Sequence, residues 1–233
     1  MIKMKLNQHV EHIIDCDSWK EKRPPKKPDI HWQEGRSAME LARYVTSAMP
    51  NMPREIEKVL ESFVSQESVF DWDAEYVTKL PGSGEGRNHD AIFYNNDIIV
   101  CVEAKADESL GNLISDELSN ASINKLSRIC CLLKMLFKDG FKQYADLRYQ
   151  LLTASTGTIL EAQKRGVDKA ILLVIVFKSE KCTTKEKLDI NDKDIQNFLS
   201  ATNAIDYKNF KKIPNNTGID LYFGKIVIEI DTK

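Results

Sequence analysis

The chain has 233 residues and a formal net charge of −2, from 33 basic and 35 acidic side chains. That length can bury a sizeable core, so one α/β domain with decorations is the default, and the balanced charge excludes a non-specific nucleic-acid coat protein. Five cysteines, two of them adjacent at Cys130 and Cys131, do not make a disulfide framework and fit a reducing, cytoplasmic setting.

Residues 1–18 contain His9, His12 and Cys16, a spacing that suggests zinc. A fourth ligand is not evident, and Val10, Ile13 and Ile14 fit one face of a short helix instead. The run KEKRPPKKP at 20–28 has five basic residues and three prolines and reads as a linker or extended arm. Residues 1–30 are therefore expected to form an N-terminal extension and linker, and 31–233 the domain. Ser37 and Glu40 fit a capping box at a helix start, with Met39, Ala42, Tyr44, Val45 and Met49 on its apolar side. A second helix, 54–66, follows Pro53, which suits a first helical position. Residues 74–80 read as the first strand, running into Pro81-Gly82-Ser83-Gly84-Glu85-Gly86-Arg87. No Gly-Lys-Ser/Thr follows and a strand comes next, so this is no phosphate loop but a mobile segment, with Arg87 and His89 beside it read as exposed loop residues or, alternatively, as contacts to substrate phosphate.

The most informative stretch is NHDAIFYNNDIIVCVEAKAD, residues 88–107. Asn95-Asn96-Asp97 is a turn signal between two apolar runs, so a β-hairpin is predicted. With Asn96 and Asp97 as the turn residues, Tyr94 faces Ile99 and Asp90 falls opposite Glu103. Directly opposed side chains share a face with Cβ atoms about 5 Å apart. Lys105, two residues on, joins the same face. Two such carboxylates repel unless a cation lies between them, and oxygen ligands of this kind suit Mg²⁺ or Mn²⁺. A metal there would activate water and stabilise charge on a phosphodiester, and the lysine would position or deprotonate that water. A glutamate and a lysine ending so apolar a strand need a reason to be there.

Beyond the hairpin, Asp107 and Glu108 read as acidic capping residues before helical segments, with a second metal site as the alternative. Residues 122–138 form a helix with Ile123, Leu126, Ile129, Cys130, Leu133, Leu136 and Phe137 on its apolar side, the cysteines serving as packing residues. Residues 146–165 read as one helix ended by Gly166, with Ala154, Ser155, Thr156 and Gly157 letting it lie close on a sheet. Residues 169–177 are a buried strand, too short to cross a bilayer, so no membrane partner is expected. Residues 179–190 are a polar connection, 192–201 a helix and 221–230 a last strand, which extend the same sheet.

Asp90, twelve intervening residues and Glu103-Ala104-Lys105 resemble the PD-(D/E)XK nuclease superfamily, whose acid and E-x-K lie on adjacent strands. His89 stands where that pattern often has proline. The run RYQLLTASTGTILEA is also similar to a bacterial family within it. The resemblance covers about 36–178, with 179–233 as a C-terminal extension. It implies a restriction-endonuclease-like αβββαβ core, a mixed central sheet flanked by helices. It implies a nuclease acting on nucleic acid, DNA first, with Mg²⁺ or Mn²⁺ on Asp90, Glu103 and the backbone carbonyl of Ala104. Two supporting residues follow from it. Glu40 on the opening helix would face the metal, though it explains itself equally as the third residue of its cap. Gln150 near the start of the long helix would reach the site, with a solvent-facing glutamine as the alternative. A homodimer is compatible with this reading. A catalytically inactive nuclease-fold module for binding or assembly is the other function expected of such a chain.

Overall fold

The segment from Ile98 to Lys105 is buried at every position, which requires cover on both faces of its sheet. The computed structural model describes residues 1–6, 12–137 and 144–231 and shows how that cover is built. The chain begins with β1 (Lys3–Leu6), α1 (Cys16–Lys22), α2 (Pro28–His31), α3 (Ser37–Ala48) and α4 (Arg54–Leu60). A three-stranded meander follows: β2 (Val69–Thr78), β3 (Arg87–Tyr94) and β4 (Ile98–Lys105). Then come α5 (Ile114–Ser119), α6 (Ile123–Leu136), α7 (Tyr149–Arg165) and β5 (Lys169–Lys178). The chain closes with α8 (Lys185–Ala201), β6 (Ile205–Tyr207), β7 (Phe210–Ile213) and β8 (Asp220–Glu229).

The strands form one eight-stranded mixed sheet in the order β1-β2-β3-β4-β5-β8-β7-β6. The meander is antiparallel, and β4, β5 and β8 run parallel. A parallel neighbour needs a long crossover, and α5 to α7 supply the one from β4 to β5. Residues of α6, α7 and α8 pack on one face, and Trp19, Leu41, Val45, Ile56 and Leu60 of α1, α3 and α4 on the other. The C-terminal strands extend this sheet, as expected. No helix among the described residues is long and apolar enough to cross a membrane.

The hairpin has the register its turn residues dictate. Tyr94 pairs with Ile99, Ala91 with Val102, and the Asn95 amide donates to the Ile98 carbonyl at 3.1 Å. The Asn95 side-chain oxygen accepts from the amides of Asp97 and Ile98 at 2.9 and 3.1 Å, closing the turn. Gly166 ends α7 in the left-handed conformation at φ 69°. Ala154 to Gly157 are all buried, and a Cβ on Gly157 would stand 3.0 Å from His89 Nε2. The small residues thus bring α7 down onto β3.

Several local expectations are corrected. The N-terminal residues, expected as an extension, add β1 to the sheet beside β2 and put Trp19 against Trp72 in the core. His9 and Val10 of the zinc-or-helix segment lie outside the described residues. The first strand of the meander is longer than 74–80, because Phe70 and Trp72 are buried in it. The second helix stops at Leu60, short of residue 66. The helix α7 starts at Tyr149 because Arg148 is extended, its guanidinium held by Asp194 and the Gly111 carbonyl. The last helix starts at Lys185, inside the expected polar connection. The capping box at Ser37 does not form: Arg36 is the N-cap, and the Ser37 hydroxyl donates to Glu108 at 3.1 Å. Outermost, β1 has four residues and is covered by 50–52 through Met4 N to Pro50 O and Met52 N to Ile2 O, and β6 has three residues.

Candidate active site

A cleft of about 980 Å³ opens where β3 begins and β4 ends, walled by the first turns of α7 and by the glycine-rich loop 83–86. The β3–β4 ladder stops at Ala91 and Val102, one step before Asp90 and Glu103. The Asp90 carboxylate takes over the ladder's role: Oδ2 accepts the Ala104 amide proton at 2.7 Å. Burial raises the Asp90 pKa, against the charge of Lys105, the Ala104 bond and the charge of Arg87.

Glu103 is 2% exposed and has its whole carboxylate engaged. Oε1 meets Lys105 Nζ at 2.9 Å and the Gln150 amide, and Oε2 meets Arg87. Lys105 is 7% exposed, and burial brings its pKa down to about 8 although Asp90 pulls the other way. The structure therefore brings together four of the five side chains expected from sequence: Asp90, Glu103, Lys105 and Gln150. Ala104, expected as a carbonyl ligand, also lines the cleft.

Glu40 is not among the residues lining the cleft. Its carboxylate is buried against the Gly35 amide at 2.8 Å and Arg43 at 3.2 Å, where it fixes the turn into α3. Glu75, Glu85, Glu108 and Glu117 line the cleft instead. Glu108 accepts from Ser37 and from the Ala106 amide at 2.7 Å, so it ties the end of β4 to α3 and does not cap α5. Asp107 is turned away to Lys187 and the Thr184 amide, at the start of α8. Glu75, on β2, falls opposite Asp90 in the β2–β3 register and takes a left-handed conformation, φ 48°. Burial first and the charge of Asp90 second push its carboxyl up to about 8.

This one backbone reversal has a consequence for the whole site. Trp72 and Ala74 face the α3 side of the sheet, but Tyr76, after the reversal, joins the α7 side. Across the ladder, Ala91 and Phe93 face α3, whereas Arg87 and His89 lie against Gly157 of α7. Arg87 therefore reaches Glu103, and His89 is fully buried, which corrects the expectation that both are exposed. Burial, then the neighbouring Arg87 charge, drives the His89 pKa well down. The signal available in sequence was an acid in a buried strand one register step from Asp90. The glycine-rich loop has no phosphate-loop geometry: Arg128 draws it in by donating to the carbonyls of Pro81, Ser83 and Glu85. The basic arm is near as well, with Lys26 bound to Glu85 at 2.7 Å.

Among the described residues no three His, Cys, Asp or Glu side chains are gathered as a metal-ligand set. The chemistry of the donor set nonetheless fits a hard divalent cation. The cleft is lined by six carboxylates (Glu75, Glu85, Asp90, Glu103, Glu108, Glu117) and five cations (Lys26, Arg87, Lys105, Lys125, Arg128), and the neighbouring carboxylates of Asp90 and Glu103 are the hard oxygen donors such an ion takes. The raised pKa values of Glu75 and Asp90 reflect burial of carboxylates that a cation would stabilise.

No curated protein and no solved structure matches the chain. One family model, described as a domain of unknown function (DUF6946), matches residues 13–230. Since that match takes in every strand but β1, all the helices and every residue of the cleft, the chain belongs to the DUF6946 family.

Proposed function

We propose that this chain is a metal-dependent nuclease of the PD-(D/E)XK type, hydrolysing phosphodiester bonds, with DNA as the first substrate to test. The observation that carries the reading is the meeting of Asp90, Glu103, Lys105 and Gln150 in one cleft, at the end of one hairpin where its ladder stops. With α4, α5 and α6 set aside as additions, the elements α3, β2, β3, β4, α7 and β5 follow one another as in a restriction-endonuclease-like αβββαβ core, which supports the reading.

Asp90 and Glu103, with the Ala104 carbonyl, would hold Mg²⁺ or Mn²⁺. Such an ion, when bound, supplies a water of lowered pKa and offsets charge on the phosphate. Lys105, with its pKa drawn toward neutrality by burial, is suited to orient the attacking water and take up its proton. The Gln150 amide holds Glu103 Oε1 and fixes the carboxylate's rotation. The test is incubation of plasmid and single-stranded DNA with Mg²⁺ or Mn²⁺, wild type beside Lys105→Ala and Asp90→Ala. Loss of cutting by about 100-fold or more is expected of each variant. Cutting that survives both substitutions rejects the assignment.

A second reading rests on one contact set. Glu103 already has Arg87, Lys105 and Gln150 around it, as a non-catalytic binding module built on the same fold would have. Calorimetry separates the two: a folded protein that gives no heat with millimolar Mn²⁺ is the module.

A further inference from the structure

Arg87 lines the cleft beside Glu103, and the proposed chemistry leaves it without a task. One end of its guanidinium, Nη2, is on Glu103 Oε2. Its Nε is buried and has no hydrogen-bond partner among the described residues. A guanidinium is always charged, and a buried N–H without an acceptor is destabilising, so an orphan donor of this kind in a cleft wall marks a missing acceptor. The stem cannot swing away toward α7, because the space a Cβ would fill at Gly157 lies 3.1 Å from Arg87 Cγ. The side chain is 12% exposed and lines the cleft, so the cleft is where a ligand can meet the guanidinium. The guanidinium fork matches phosphate oxygens in geometry and charge.

We propose that Arg87 has two alternating partners: it holds Glu103 in the ligand-free protein, and it passes to a phosphodiester oxygen when a divalent cation takes Glu103. Cation and polyanion then bind cooperatively, through one buried carboxylate that cannot serve Arg87 and the cation alike. This rests on the nuclease reading for the cation's place. It also gives signs that a purely structural arginine would not. Removing Arg87 deletes the cation's competitor and a positive charge, so cation affinity rises. Neutralising Glu103 frees Arg87, so polyanion affinity rises even without a divalent cation.

The experiment combines Mn²⁺ calorimetry on wild type and Arg87→Met with fluorescence anisotropy of a labelled oligothymidylate in EDTA on wild type, Glu103→Gln and Glu108→Gln. Arg87→Met should bind Mn²⁺ about tenfold more tightly than wild type, and Glu103→Gln should bind the oligonucleotide about tenfold more tightly than wild type. Glu108→Gln makes the same charge change without freeing Arg87 and should gain much less. Mn²⁺ binding by wild type with no gain in Arg87→Met overturns the Arg87 inference and leaves the nuclease reading standing. Equal gains in Glu103→Gln and Glu108→Gln overturn it too. If wild type takes no Mn²⁺, the metal-dependent reading falls. The polyanion role of Arg87 is then upheld by the Glu103→Gln gain, or lost with its absence. Should Arg87→Met fail to fold by thermal unfolding, the two glutamine variants decide.

Discussion

Replacing Glu75 by glutamine tests whether the cleft stores electrostatic strain. The carboxyl of Glu75 is pushed from its usual 4.5 up to about 8, by burial and by the charge of Asp90, with the Asn88 amide and Arg87 opposing. The folded protein therefore holds this proton more tightly than the unfolded chain does. Its contribution to stability is full below the unfolded value and is lost as pH rises through the folded value. A displacement from 4.5 to about 8 amounts to roughly 5 kcal/mol at about 1.4 kcal/mol per pH unit. Glu75 is half-buried and shares the repulsion with Asp90, so a fall of about 2 kcal/mol between about pH 5 and pH 8 is expected from it. Glu75→Gln retains an acceptor for the Asn88 amide and removes the charge. Urea unfolding followed by tryptophan fluorescence, without divalent cation, should show wild type losing stability across that window relative to the variant. The variant should be the more stable protein at the alkaline end. Parallel pH profiles for the two proteins, or a variant less stable than wild type at about pH 8, would refute the reasoning.

Other outcomes follow from the same contacts. His89 is buried neutral, so stability drops as pH falls below the unfolded histidine value near 6.5, by at most about 1.4 kcal/mol per pH unit; His89→Leu should have the shallower acid limb in denaturation at about pH 5 and pH 7. Gly157→Ala places a methyl 3.0 Å from His89 Nε2 and 3.1 Å from Arg87 Cγ, both confined. Overpacking of about 1–3 kcal/mol outweighs a helix-propensity gain of about 1 kcal/mol, so the melting temperature should fall by a few degrees, and a rise would contradict the close packing of α7 on β3. Arg128→Ala removes the three carbonyl contacts of loop 81–86; limited proteolysis should cut the variant there while wild type resists, with global stability changed by less than about 1 kcal/mol.

The parts of this fold that were legible in sequence are those set by neighbours along the chain. The hairpin register follows from Asn95-Asn96-Asp97 and the apolar runs beside it, and it alone puts Asp90 opposite Glu103. Gly166 and the small residues of α7 are legible for the same reason, as local geometry with a local signature. What escaped is set at a distance. The parallel pairing of β1 with β2 joins Lys3 to Val69 and leaves no mark in either segment. The first turns of α8 are almost wholly exposed and lack an apolar period. Glu40 looked like a site residue by position, but the Gly35 amide and Arg43 claim it. Glu75 is the deepest case. A glutamate at positive φ goes against backbone preference, and nothing in Ala-Glu-Tyr announces it, yet it decides which face of the sheet receives Arg87 and His89. Local rules fail here at the candidate site, the place where strained backbone is most often retained.

The two margins of the sheet bear on how copies of this protein can meet. An eight-stranded sheet with a long bare rim would template addition of further strands and end in fibrils. Here one rim is Lys3–Leu6, with Lys3 and Lys5 facing solvent and residues 50–52 laid along it, and the other is the three-residue Ile205–Tyr207. Among the described residues neither offers a neighbour a long row of amides and carbonyls. Association in concentrated solution should therefore run through helices or loops, and cross-β growth from the native state is blocked at both ends.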